Sequence, residues 1–124
     1  MNSEHLPSFS LDGKIVVVTG ASRGIGRGLV DALAAAGATV ALTARSSDEA
    51  STIAAQVVAA GGSASGHVMN VADVGSINAA FDDIAQQHGR VDVLVANAGL
   101  GANHPAVDVT EADWDDMMDV NAKG

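Results

Sequence analysis

The stretch Ile15-Val16-Val17-Val18-Thr19-Gly20-Ala21-Ser22-Arg23-Gly24-Ile25-Gly26 decides the fold. Its first four residues are β-branched and apolar, as in a buried strand, and the residues after it repeat at helical spacing. Between strand and helix lies a Gly-x-x-x-Gly-x-Gly turn formed by Gly20, Gly24 and Gly26. A residue without Cβ admits positive φ and lets the backbone approach an anion closely, while the first helical turn offers unpaired N–H groups and a partial positive charge. The order strand, glycine turn, helix therefore predicts a cradle for a dinucleotide pyrophosphate. The spacing is not Gly-x-Gly-x-x-Gly, and no Gly-Lys-Ser/Thr follows to make a P-loop. A tight strand-to-helix turn that holds no ligand is the competing reading.

Working outward, residues 1–11 are polar around Pro7 and Phe9 and are expected to form a flexible N-terminal arm before the Asp12-Gly13 turn. From residue 12 to residue 124 the pattern alternates. Strands are expected near 14–19, 39–43, 64–69 and 91–96, and helices near 24–36 and 47–60. A further helix carries Val74, Ile77, Phe81 and Ile84 and ends at Gly89, and a last one starts from Thr110 as N-cap. Such alternation means βαβ units, and right-handed crossovers then give the strand order 3-2-1-4. The expected fold is α/β: a Rossmann-like parallel sheet with helices on both faces, one partial dinucleotide-binding domain over residues 12–124. Ligands bind such sheets beyond the strand ends where the order reverses, which is where the glycine turn and Asn97-Ala98-Gly99 both fall.

Composition narrows the function. The chain has 124 residues, 48% of them hydrophobic, with a formal net charge of −9. Such acidity argues against a nucleic acid or an anionic membrane as partner. No apolar run approaches the roughly 18 residues of a bilayer span, and the first residues lack a signal-peptide pattern, so a cytoplasmic location is expected. There is no cysteine. His5, His67, His88 and His104 are scattered along the chain without ligand spacing, and no metal site is expected. Asp108, Glu111, Asp113, Asp115, Asp116 and Asp119 read as a solvated acidic face.

Four blocks of residues together resemble the short-chain dehydrogenase/reductase family. Thr19 to Gly26 matches its Thr-Gly-x-x-x-Gly-x-Gly motif, Asn97-Ala98-Gly99 its Asn-Ala-Gly motif, Asn70-Val71 the place of its Asp-Val pair, and Asn121 its catalytic asparagine. The resemblance implies a cofactor held by Gly20, Ser22, Arg23, Gly24, Ile25, Gly26, Arg45, Asn70, Val71, Asn97, Ala98 and Gly99, and an Asn121 that holds a water relaying protons. It implies an oxidoreductase that moves a hydride between a nicotinamide cofactor and a small carbonyl or alcohol substrate, homo-oligomeric when complete. The family's serine and Tyr-x-x-x-Lys pair have no counterpart in this sequence, which contains no tyrosine. The chain is accordingly expected to be the N-terminal cofactor-binding half, truncated before the remaining strands and inactive by itself. A non-catalytic nucleotide-binding or interaction module, a natural truncation or half of a split protein, is the alternative.

The second strand bears on which cofactor. It ends Thr43-Ala44-Arg45, and Ala44 stands where NAD-preferring relatives carry an acid for the ribose diol. Arg45 with Arg23 would make a two-armed clamp on a 2′-phosphate, so NADP is expected over NAD. The competing reading leaves both arginines as solvated charges. Asn70 replaces the usual aspartate; its amide oxygen can accept one hydrogen bond from adenine or cap the strand end. Finally, the apolar fourth strand would expose an open edge, so the truncated chain is expected to self-associate through it.

Overall fold

The computed structural model describes residues 8–101 and 104–124; residues 1–7 of the expected arm lie outside the described residues. Four strands, β1 (Ile15–Val18), β2 (Thr39–Ala44), β3 (Ser63–Val68) and β4 (Val93–Val95), form one sheet in the order β3-β2-β1-β4. All three pairings are parallel. The 3-2-1-4 order expected from crossover handedness is the order found.

Alternation along the central strands divides the helices between the two faces. Val16, Val18, Val40, Leu42 and Ala44 point to one side, where they pack with Val30 of α1 (Gly24–Ala35) and Ala50, Ile53, Ala54 and Val57 of α2 (Ser47–Ala59). Val17 and Ala41 point to the other, against Ile84 and Phe81 of α3 (Val74–His88). The first face carries most of the core. Leu11 also packs there and its N–H donates to the carbonyl of Ala36 at 2.9 Å, so the chain is tied to the fold from Leu11 onward.

The helix ends follow local chemistry. Ser46 caps α2 by accepting from the Glu49 N–H, and Asp73 caps α3 by accepting from Gly75 and Ser76. Gly89 ends α3 with φ +79°, a left-handed C-cap at the predicted place. Thr110 caps α4 (Glu111–Met118) and exchanges hydrogen bonds with Asp113 in a capping box. Beyond α4 the chain widens into a π turn over Asp119–Lys123.

The fourth strand is shorter than the six residues expected. Its approach is used differently: the Asp92 N–H donates to the Ile15 carbonyl at 2.9 Å, while its carboxylate accepts from the Ile15 N–H at 2.8 Å and from Arg90 Nε at 3.0 Å, so a side chain supplies one of the two bonds that close the base of the β1–β4 pair. At the other end Asn97 leaves the strand to bond the glycine turn.

Candidate functional site

At the carboxyl ends of the strands, where the order reverses between β1 and β4, a cavity of about 570 Å³ opens. Its size is that of a small-molecule or cofactor site. The glycine turn forms one wall. Gly20 has φ +65°, and a Cβ there would stand 2.6 Å from Ala98 Cα, so the residue is small both to turn and to let the β4 segment pass. Arg23 is the N-cap of α1 with extended backbone and no side-chain capping bond, which leaves the first N–H groups of that helix for a ligand.

The opposite wall is Asn97-Ala98-Gly99, fastened to β1 by Thr19. Thr19 Oγ1 accepts from the N–H groups of both Asn97 and Ala98 at 3.0 Å. Asn97 Nδ2 in turn donates to the carbonyls of Thr19 at 3.2 Å and Gly20 at 3.1 Å. The turn is held from β2 as well, where the Thr43 carbonyl accepts from Ala21 N–H at 2.9 Å. Thr19 and Thr43 thus set the shape of the cradle. Thr19 was visible as the first letter of the motif, whereas the role of Thr43 depends on β2 lying beside β1.

Ten of the residues expected to hold a cofactor line this cavity: Gly20, Ser22, Arg23, Ile25, Arg45, Asn70, Val71, Asn97, Ala98 and Gly99. Two do not reach its wall. Gly24 opens α1 with φ +63°, and Gly26 is buried beneath the turn against Asn97 and the Gly20 carbonyl. Asn70 is already engaged: its Oδ1 accepts from Ala72 N–H at 3.0 Å, the strand-end cap of the two readings, while the residue still borders the cavity.

Asn121 lies beside the cavity rather than on its wall, which its neighbour Val120 reaches. Its side-chain amide pairs with the backbone of Leu100, accepting from the N–H and donating to the carbonyl, both at 2.8 Å. Gly99 makes room for it, since a Cβ there would meet Asn121 Oδ1 at 3.2 Å. The residue sits in the π turn, an irregularity frequent at functional sites. It joins the last helix to the loop that leaves β4.

The cations are distributed unevenly. Arg27 pairs with Asp31 and Arg90 with Asp92, but among the described residues no carboxylate forms an ion pair with Arg23 or Arg45. Both of those arginines border the cavity, in a chain of net charge −9. Among the described residues no group of three or more His, Asp or Glu is placed to hold a metal ion.

The model of the short chain dehydrogenase family matches residues 14–124. The chain belongs to the short-chain dehydrogenase family. Within it, the chain is 39% identical over 116 residues to the D-threitol dehydrogenase of Mycolicibacterium smegmatis, covering 94% of this chain and 45% of that one. It is 38% identical over 113 residues to the 3-oxoacyl-(acyl-carrier-protein) reductase of Escherichia coli K12, covering 91% and 45%. A metagenomic short-chain oxidoreductase solved in complex with NADP superposes with a TM-score of 0.83 at 41% identity, covering 90% of this chain and 51% of that one. The chain thus spans about half the length of the short-chain dehydrogenases it matches.

Proposed function

We propose that this chain is the NADP-binding portion of an oxidoreductase that interconverts a small carbonyl compound and the corresponding alcohol. The observation that carries the cofactor choice is the pair Arg23 and Arg45, free of ion pairs to described carboxylates and both bordering the cavity next to Ala44. Ala44 leaves the end of β2 without the carboxylate that would repel a 2′-phosphate. The cradle fits the group: Gly20 and Ala98 pack with no room for a Cβ, and α1 offers uncapped N–H groups. When bound, the nicotinamide would supply the hydride chemistry. Gly20, Ser22 and the start of α1 would hold the pyrophosphate, Arg23 and Arg45 the 2′-phosphate, Met69 to Val71 the adenine side, and Ala98 and Gly99 the ribose near the reacting ring. Asn121, through Leu100, would fix the loop beside that ring.

Equilibrium titration of the 124-residue chain with NADP+ and NAD+ tests this reading. NADP+ is expected to bind more tightly, and R23A and R45A each to weaken NADP+ by about 10- to 100-fold, the worth of a charge-assisted hydrogen bond, with little change for NAD+. Binding NAD+ as tightly as NADP+ at moderate salt would overturn it. Without a tyrosine the chain by itself is expected to bind cofactor and reduce no carbonyl. The open outer side of β4, with Leu94 53% exposed, favours self-association of the isolated chain, with homo-oligomers for a complete enzyme. Among the described residues no helix is long and apolar enough to cross a membrane, and a cytoplasmic site of action fits the reading.

A further inference from the structure

Away from the cavity, the edge strand β3 turns Ser65 and His67 toward α3, where they are 7% and 3% exposed. The apolar cluster between the sheet and α3 is small, consisting of Val17, Ala41 and Ile84 with Phe81 packed on them. Beside it runs a continuous polar chain. Asp83 Oδ2 lies 2.6 Å from His67 Nδ1, His67 Nε2 lies 2.7 Å from Ser65 Oγ, and the same hydroxyl lies 2.8 Å from His88 Nε2. The two imidazoles stand edge to face with centroids 6.3 Å apart. Strand β2 brings Ala41 and Thr43 opposite Ser65 and His67, so it adds no charge. The charged groups acting on His88 are His67 from β3 and Asp83 from its own helix.

A hydroxyl has one proton to give and lone pairs to accept with, so the number of protons in the chain decides the direction of every bond. With both histidines neutral, the Asp83 carboxylate holds the His67 proton on Nδ1, His67 Nε2 accepts from Ser65, and His88 donates from Nε2 to Ser65 Oγ. One added proton on His67 reverses the middle of the chain. His67 Nε2 then donates to Ser65, whose hydroxyl turns to donate to His88 Nε2, and His88 keeps its proton on Nδ1. Every bond survives. A second added proton makes both imidazoles donors to Ser65 Oγ, which leaves the hydroxyl proton without an acceptor in the chain and sets two like charges 6.3 Å apart.

We propose that Ser65, His67, Asp83 and His88 form a proton-counting latch between β3 and α3, which stays shut with no added proton or one and opens on the second. The latch holds the last turn of α3 on the strand whose next residues, Met69 and Asn70, line the cavity. Burial, reinforced by His67 and partly offset by Asp83, lowers the proton affinity of His88 below the ordinary value of 6.5. The closed latch therefore binds fewer protons than the open one, and closure is favoured above about pH 6.5 and lost as pH falls toward the lowered value.

Histidine ring NMR of the 124-residue chain from about pH 8 to about pH 5, with amide hydrogen exchange read in parallel, tests the latch. His88 is expected to titrate below about 6.5, and amides at the end of α3 to lose protection by up to about tenfold per pH unit as pH falls from there toward the lowered value. H88Q can still bond the Ser65 hydroxyl but cannot take the second proton, so its α3 protection is expected to stay flat over that range. A His88 that titrates at its ordinary value, or H88Q protection that falls as in the unmutated chain, would overturn the proposal. The titration of the unmutated chain decides the first point even where H88Q does not fold.

Discussion

Asn97 occupies the space that a β-carbon on Gly26 would need. The glycine turn after β1 and the segment after β4 are therefore built as one object, with the Asn97 amide bonded to the Thr19 and Gly20 carbonyls and Gly26 kept bare to admit it. The added Cβ would also strike the Gly20 carbonyl oxygen.

From this follows a pair of outcomes for G26A. The substitution overpacks a buried site and is expected to cost about 1–3 kcal/mol in urea unfolding. N97A removes one obstacle but not the Gly20 carbonyl, so G26A should remain destabilising in the N97A background. Recovery of full stability in the double variant would show that the amide was the sole obstacle.

Leu42 is fully buried at the centre of β2, between α1 and α2 on the larger core face. L42A is expected to lower stability by about 2–5 kcal/mol through lost transfer energy and the cavity left behind. The denaturation midpoint measures this, with an unchanged slope.

Asp92 contributes to the acid side of stability at the base of the sheet. The Ile15 N–H bond, and after it the Arg90 guanidinium, hold its carboxyl below the ordinary value of 3.8. The folded state thus favours the ionised carboxylate, and this contribution is complete above about pH 4 and lost as pH falls through the lowered value. D92N is expected to flatten the acid limb of a melting-temperature profile while the region above pH about 5 keeps its shape.

The outer side of β4 should make the isolated chain sticky. Val93 and Leu94 are 41% and 53% exposed beside a strand that pairs only with β1 among the described residues. An inward charge or lysine on an edge discourages strand pairing. L94K is therefore expected to shift sedimentation-velocity profiles toward monomer, and a chain that is monomeric at all accessible concentrations without the substitution would contradict the open-edge reading.

Much of this molecule is local chemistry and can be read from neighbouring residues. The four β-branched residues 15–18 with the glycines at 20, 24 and 26 specify strand, turn and helix over a dozen positions, and the crossover rule orders the strands. Gly89 and Thr110 end and begin helices for reasons contained within a few residues. The extent of β4 was not legible in that way, because Asp92 meets Ile15, 77 positions away, with its carboxylate as acceptor as well as its backbone N–H as donor.

The histidines mark the boundary most clearly. Scattered in sequence, His67 and His88 meet across one serine because β3 and α3 stack, although the alternation of Ser65 and His67 already put both on one strand face. Asn121 likewise was marked by its motif, but its pairing with Leu100 requires the π turn and the loop after β4 to meet. The sequence by itself determined the strand order, the glycine turn and ten of the residues that border the cavity, since backbone conformation and apolar period act over short range. Tertiary structure alone decided which polar side chains share protons and that Arg23 and Arg45 pair with no described carboxylate, because hydrogen bonds and charges act through space and are indifferent to separation along the chain.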